Sequence, residues 1–396
     1  MDLPGLRLLQ TEAGGQALAE AARLAPRETD FLTCFQALSR RFPPELARPA
    51  LETAILRREA AAKFPFADRL FFTRPALEQA SSFPVAAYRA GRFAGWSRLV
   101  DLGCSIGADS LALAAVAPTL GLDLDPLRLA LARANLAALG LAEQAAVLQA
   151  DLRQGLPLRP APGLGLFFDP ARRTAERRVF SVDDYQPPLG LVQAWLADFP
   201  ALAVKLSPGV KLEEIAAYPA EVEFISLHGE LKEAVLWFGP LRRGAFRATL
   251  LPGGHTLTAD PAAGLSLSEP QAVLYEPDPA VLRAGLVRTL AARLGASQLD
   301  PEIAYLTAPA QTPTPFARLW QVEAWFPFQL KRLRAYLRQR RVGQVTVKKR
   351  GSPLQPEALI RDLRLEGEAS RVVVLTHLRG RPIVIICLPE FERLNP

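Results

Sequence analysis

The stretch from Val100 to Asp109, Val-Asp-Leu-Gly-Cys-Ser-Ile-Gly-Ala-Asp, constrains the fold of this chain more than any other. Residues from Trp96 to Leu102 read as a strand with Leu99, Val100 and Leu102 buried. Gly103 and Gly107 then turn the chain, and an apolar run from Ser110 to Val116 starts a helix against that strand. A turn with so little side-chain bulk lets backbone approach a ligand closely. Sixteen residues past Gly107 comes Asp123, in a second strand read from Gly121 to Leu124. Pro126 opens the next helix, where its missing N–H is not needed. That helix runs through Leu127, Leu131, Asn135 and Leu139 to a stop at Gly140. Ala146 to Gln149, followed by Asp151, and Leu164 to Phe168, followed by Asp169, read as third and fourth strands. Strands and helices alternating at this spacing predict a doubly wound α/β sheet. Asp123, Asp151 and Asp169 then stand at the carboxyl ends of neighbouring strands, where such sheets bind ligands.

The acids argue against a dinucleotide. That fingerprint needs three glycines as G-x-G-x-x-G, with the helix N-terminus facing a pyrophosphate. Here Cys104, Ser105 and Ile106 separate two glycines, and the middle glycine is missing. Asp101 at the mouth of the turn repels a pyrophosphate and attracts a cation. An amino-acid-bearing nucleoside with an ammonium and a sulfonium suits the arrangement. Asp101 then anchors the amino-acid end through water or backbone, Asp123 takes both ribose hydroxyls, and Asp151 meets the adenine amine. Residues 96 to 170 resemble a class I S-adenosylmethionine-dependent methyltransferase. Asp101 to Gly107 is similar to the glycine-rich first motif, Asp123 to the ribose-binding acid, Ala134-Asn135 to the helix signature and Asp151 to the adenine-side acid. The resemblance implies a Rossmann-like sheet with S-adenosylmethionine as cofactor. It assigns the cofactor to Asp101, Gly103, Cys104, Gly107, Asp123, Leu124, Asp151, Leu152 and Asp169. The competing reading is a structural α/β domain whose acids only cap helices.

The fourth strand delivers Asp169-Pro170-Ala171-Arg172-Arg173. This place resembles the (Asp/Asn)-Pro-Pro-aromatic motif of amino-directed methyltransferases. The resemblance implies that Asp169 and the Pro170 carbonyl accept hydrogen bonds from the target amine and orient it. Alignment and desolvation are most of what transfer from a sulfonium needs. Ala171 and Arg172 depart from the motif, so stacking on a base falls to Tyr185 or Phe180. Arg172 and Arg173 either hold a phosphate or carboxylate of the substrate or pair with Asp183, Asp184 or Glu176 at the surface. Lys205, closing the strand from Ala201 to Leu206, binds phosphate, contacts Asp169, or snorkels at the sheet rim. Uracil-modifying methyltransferases carry a partly similar Asp-Pro-Pro-Arg turn but need a cysteine nucleophile at the next strand. Cys34, Cys104 and Cys387 all lie elsewhere, which disfavours carbon methylation through a cysteine adduct. Glu221 to Ile225 and Ala234 to Phe238 read as closing strands, and His228 between them is expected to be structural.

At 396 residues the chain exceeds one ordinary core. A mostly helical region at 1–94, a methyltransferase domain at 95–245 and an α+β region at 246–396 are expected. Three cysteines and three histidines, all scattered, suggest neither a disulfide framework nor a zinc site. No apolar run is long enough for a spanning helix, and the N-terminus lacks the basic region and apolar core of a signal peptide. A cytoplasmic, metal-free protein is expected, with no membrane partner. The segment around Phe72 and Thr73 resembles the lead-in of guanine-N2 methyltransferases of RNA caps, which implies that it helps close the cofactor site; plain core is the alternative.

Charge is uneven. From Lys331 to Arg381 fourteen Lys and Arg face four Asp and Glu, a net of +10 in a chain whose total is +7. Such a focused basic surface suits a phosphate backbone, with little base specificity of its own. Pro279 to Leu294 reads as one amphipathic helix ending at Gly295, and Phe328 to Arg340 as another. Gly343 to Gly351, with the segment from Leu354 to Leu365 and a final hairpin, resembles the THUMP-like domain attached to some bacterial methyltransferases. That likeness implies RNA as partner, met by Arg173, Arg338, Arg341, Lys348, Lys349 and Arg350; a surface for solubility or for an acidic protein is the alternative. The whole chain thus predicts S-adenosylmethionine-dependent methylation of a base nitrogen in RNA, with guanine a candidate, carried by Asp169, Pro170, Arg172 and Lys205. Two rivals stand beside it: a methyltransferase of a small anionic metabolite or a protein, and a non-catalytic RNA-binding protein with a vestigial cofactor fold.

Overall fold

The computed structural model describes residues 1–171 and 181–389. Arg172, Arg173, Glu176 and Phe180 lie outside the described residues. The chain divides into two compact units: Met1–Val222 with Glu233–Arg243, and Glu223–Lys232 with the chain from Gly244 onward.

The first unit begins with helices α1 (Leu3–Leu9), α2 (Glu12–Arg23), α3 (Phe31–Leu38), α4 (Pro44–Ala60), α5 (Arg74–Gln79) and α6 (Phe83–Gly91). Asp2 and Thr11 cap the first two by accepting the Gly5 and Gly14 amides at 2.8 and 3.1 Å. Their apolar faces meet in one core with Phe64 and Phe72, whose rings lie 5.7 Å apart. The alternating part follows: β1 (Arg98–Leu102), α7 (Ala108–Leu113), β2 (Thr119–Asp123), α8 (Pro126–Ala138), β3 (Ala145–Gln149), β4 (Leu164–Phe168), α9 (Leu191–Leu196), β5 (Leu202–Leu206) and α10 (Leu212–Ile215). The strands β6 (Glu221–Leu227), mostly in the second unit, and β7 (Glu230–Trp237), mostly in the first, come next. Strand order in the first unit is β3-β2-β1-β4-β5-β7, parallel through β5 and antiparallel from β5 to β7. This is the class I methyltransferase sheet, and its order reverses beside β1. That reversal opens a crevice at the carboxyl ends of β1, β2 and β4.

Asn135 shows how the helical region is locked to this sheet. Its amide nitrogen donates to the carbonyls of Phe71 at 3.1 Å and Ile106 at 3.0 Å, and its oxygen accepts the Phe71 amide at 2.7 Å. One buried side chain thus satisfies backbone groups of the lead-in and of the glycine loop, a requirement in a dry core.

The second unit continues with β8 (Phe246–Leu251), β9 (His255–Thr258), β10 (Val273–Pro277), α11 (Pro279–Arg283), α12 (Val287–Leu294), β11 (Ser297–Asp300), β12 (Ile303–Ala308) and β13 (Ala317–Pro327). It ends with α13 (Leu330–Gln339), β14 (Val342–Lys349), α14 (Pro356–Leu363), β15 (Ala369–Leu378) and β16 (Arg381–Cys387). A seven-stranded sheet runs β11-β12-β10-β13-β16-β15-β14. The amphipathic helix expected over 279–294 is two helices. Gly285, with φ 69°, breaks it, and α12 restarts two residues later. Strands β15 and β16 are buried on both faces, which explains their near-continuous apolar runs. Val373, Leu375, Val384 and Ile386 pack under Leu333, Leu337, Leu359 and Leu363 of α13 and α14. Val372, Val374, Ile385 and Cys387 face the other way, toward Leu274, Tyr305 and Trp320. This body mixes helices with a sheet, the α+β architecture that the sequence predicts for the C-terminal region.

Candidate active site

Two close approaches shape the β1–α7 turn. Gly103 has φ 82°, and a Cβ on it would stand 3.1 Å from the Asp169 carbonyl oxygen. The loop therefore lies against the end of β4, and glycine alone fits both conditions. Gly121, inside β2, lies beneath the loop: a Cβ there would be 2.9 Å from Cys104 Sγ. The Gly103 and Cys104 amides both donate to the Leu122 carbonyl, at 2.8 and 2.9 Å. Cys104 is a packing residue, and burial pushes its thiol well above the ordinary range. Gly107 is the N-cap of α7.

Asp123 ties this loop to the next turn. Its two oxygens accept the amides of Ser105 at 2.8 Å and Asp125 at 2.9 Å. A carboxylate has further lone pairs on both oxygens, enough for two ribose hydroxyls. Leu124 beside it is 52% exposed, an apolar surface at the lip of the crevice, whereas Leu152 is buried. Asp151 is already engaged. Its oxygens accept the Arg153 amide, Nε and Nη2 at 3.1, 2.8 and 2.7 Å. Those bonds hold its carboxyl below the usual range, at about 2. Any further donor to this carboxylate would have to share it with Arg153. Phe72 is fully buried core, while Thr73 caps α5 through the Ala76 amide. Thr73 also lines a cleft of about 700 Å³ with Asp125, Leu127 and Arg128.

Asp101 is fully buried at the end of β1. One oxygen accepts the Ser110 hydroxyl at 2.6 Å, and the other has no hydrogen-bond partner among the described residues. Burial and the nearby Asp109 push its carboxyl well above the ordinary range. Close by, Arg89 of α6 reaches both oxygens of Glu233 at 2.6 Å, the Ser81 hydroxyl at 3.0 Å, and Asp109. Its guanidinium carbon lies 4.8 Å from the centre of the Phe167 ring. Just past the end of β4, Lys205 Nζ sits 2.5 Å from Asp169 Oδ2, with Lys205 buried and Asp169 partly open. Of the options open to Lys205, contact with Asp169 is the one found. Pro170 is buried, and Ala171 pairs with Gln186 through bonds of 2.8 and 3.0 Å. Tyr185 is 1% exposed, and its hydroxyl accepts the Ser207 amide at 3.4 Å. It presents no open ring face for stacking, contrary to the expectation.

A relative in Mycobacterium tuberculosis, an uncharacterized S-adenosylmethionine-dependent methyltransferase, is 38% identical over 342 residues, which span 83% of this chain and 92% of the relative. This chain belongs to the S-adenosylmethionine-dependent methyltransferases. A crystal structure of a candidate methyltransferase from Porphyromonas gingivalis W83 superposes with a TM-score of 0.77 over 95% of this chain and 99% of that one. At 24% identity, that likeness speaks to the fold alone. A THUMP domain-like family matches residues 317–389, and a domain of unknown function matches residues 2–60.

The methyltransferase's cofactor is S-adenosylmethionine, and the residues fit it. A bare, buried carboxylate oxygen on Asp101 and an acid-rich surround suit a ligand carrying an ammonium and a sulfonium. Asp123 keeps lone pairs beyond the two amides it accepts, so its carboxylate has the capacity for a further pair of hydroxyl donors. Sequence pattern does not mark Asp109, Arg89 and Glu233 as site residues. One signal is available: Arg89 stands alone among Val85, Ala86, Ala87 and Ala90, a charge inside an apolar helix.

The basic residues of the second unit divide into two groups. Arg338, Arg341 and Lys349 are exposed. Lys348 and Arg350 are half-buried and paired with Glu276 at 3.0 and 3.6 Å. They lie over the rings of Trp320 and Tyr305, at 5.4 and 5.1 Å. Among the described residues no helix is long and apolar enough to cross a membrane, and no cluster of His, Cys, Asp or Glu could hold a metal.

Proposed function

We propose that this methyltransferase is a cytoplasmic enzyme that transfers the methyl group of S-adenosylmethionine to a nitrogen of a base, guanine first among the candidates, in structured RNA. The observation that carries the RNA reading is the THUMP domain-like body at residues 317–389, with Lys331, Arg332, Arg338, Arg341, Lys349 and Arg361 exposed on it. S-adenosylmethionine, when bound, supplies an electrophilic methyl group on its sulfonium. Asp101, Asp123 and the turn from Gly103 to Gly107 hold it, with Leu124 and Asp151 at the adenine side. Asp169, fixed in place by Lys205, accepts a hydrogen bond from the acceptor amine and so orients its nitrogen. The Pro170 carbonyl accepts a second such bond. Arg172 and Arg173 meet phosphate or base edges.

The test is transfer of labelled methyl into RNA isolated from a strain lacking this gene, followed by nucleoside analysis. A labelled N-methylated nucleoside is the expected product. Label confined to protein or to small molecules would overturn the RNA assignment. Salt-dependent retention of RNA on filters is the companion measurement, since phosphate contacts weaken steeply with salt.

A further inference from the structure

The acids beneath the glycine turn outnumber the cations. Asp101, Asp109, Asp169 and Glu233 face Arg89 and Lys205, all in the first unit. Three of the acids have cationic partners: Glu233 and Asp109 share Arg89, and Asp169 has Lys205. Asp101 has only the neutral Ser110 hydroxyl on one oxygen and nothing described on the other. Charged and titratable groups surround the cluster from several elements, the Cys104 thiol of the glycine turn and Asp123 of β2 among them. Arg89 comes from α6, Asp109 and Ser110 from α7, Asp169 follows β4, Lys205 is on β5 and Glu233 on β7. Isolated negative charge in such a place is strongly disfavoured, and the group takes a proton instead.

We propose that cofactor binding to this enzyme is proton-linked, with Asp101 protonated in the empty protein and ionised in the complex, and with Arg89 as the positioning residue that sets how many protons the acid cluster holds. The reading rests on the assigned cofactor crevice. The exchange balances: the Asp101 carboxylic acid gives one proton to solvent, and the positive charge of the incoming ammonium and sulfonium takes its place near the carboxylate. Arg89 is buried, and its partners are Glu233, Asp109 and Ser81. It neutralises Glu233 and Asp109, so that Asp101 is left as the one acid without a counter-ion. Affinity for S-adenosylmethionine then rises with pH while Asp101 is protonated in the empty protein. The limiting slope is about tenfold per pH unit for one released proton.

Calorimetric titration of the full-length protein with S-adenosylmethionine tests this between pH 5.5 and 7, below the titration of an α-amino group at about 8. The titration is run in buffers of different ionisation enthalpy. Wild type is expected to release close to one proton per cofactor bound. Asp101→Asn is expected to bind with a heat independent of buffer and an affinity flat with pH. Arg89→Met removes a cation, so the empty cluster holds an extra proton and releases more on binding; Arg89→Lys returns the count toward wild type. A merely structural Arg89 would lower affinity in both variants without changing the proton count. If Arg89→Met does not fold, Arg89→Lys and Asp101→Asn alone decide. Buffer-independent heat for the wild type overturns the proton linkage and leaves the crevice standing. Absence of any binding to the wild type overturns the crevice itself.

Discussion

Asp101 and Asp123 are both acids at strand ends, yet the structure gives them different work. Asp123 accepts two backbone amides, from Ser105 and Asp125, and so shapes the turn, besides the ribose-binding role proposed for it. Asp123→Ala removes those acceptors together with the carboxylate proposed to meet the ribose. Hydrogen bonds to charged groups contribute about 1.5–3 kcal/mol each, so cofactor affinity is expected to fall at least tenfold, measured by calorimetry. Asp101 is instead a buried acid whose carboxyl is pushed up by burial and by Asp109. For a carboxyl raised in the folded state, the stabilising contribution is complete below the unfolded value of about 4 and is lost as pH rises through the folded one. Asp101→Asn should therefore gain thermal stability on the cofactor-free wild type as pH increases, the two converging in acid. Parallel melting curves across pH would contradict this. The acids themselves are legible from their place after apolar strands. Their partners are not, because Ser105, Ser110 and Arg89 are brought to them by turns and packing that no local pattern encodes.

At the scale of elements, the β1–α7 turn depends on what lies beyond it. Gly103→Ala puts a β-carbon into a left-handed backbone and 3.1 Å from the Asp169 carbonyl oxygen. The backbone penalty alone is about 1–2 kcal/mol. The added crowding should also separate the cofactor turn from the acceptor acid, so methyl transfer is expected to fall more than stability does. Comparing turnover with thermal midpoints checks it. In the second unit, the sequence of β14 reads as part of a basic surface, but Lys348 and Arg350 are held by Glu276 over two aromatic rings. Glu276→Ala leaves both cations half-buried without their acid and should destabilise by about 1–3 kcal/mol, seen in chemical denaturation. Strands β10, β11 and β12 give no clear pattern in the sequence. They are short and carry polar residues such as Gln298 and Thr307, whose side chains bond backbone inside the sheet.

At the scale of the whole molecule, the division of labour proposed for the chain predicts which residues govern RNA affinity. Arg338 and Arg341 are exposed. Replacing both with alanine should reduce the slope of log affinity against log salt by about 0.7–0.9 for each phosphate no longer neutralised. Lys348→Ala should leave that slope close to wild type and lower stability instead. Filter binding across a salt series separates the two outcomes. A slope equally reduced by Lys348→Ala would mean that its pairing with Glu276 opens when RNA binds.

The sequence by itself determined the class of fold and the ligand family. Period, glycine turns and acids after strands are local, and an α/β sheet turns local order directly into spatial order at its carboxyl edge. The THUMP-like body is legible for the same reason, from contiguous helix and strand patterns and from charge. Only the tertiary structure decided which charges are available and which are spent. Lys205 is committed to Asp169, Arg153 to Asp151, and Lys348 and Arg350 to Glu276, while Asp101 is left without a counter-ion among the described residues. The pairing of Lys348 with Glu276 spans 72 positions in the chain. Ionisation and pairing depend on distance and burial in three dimensions, which residue type and spacing do not specify.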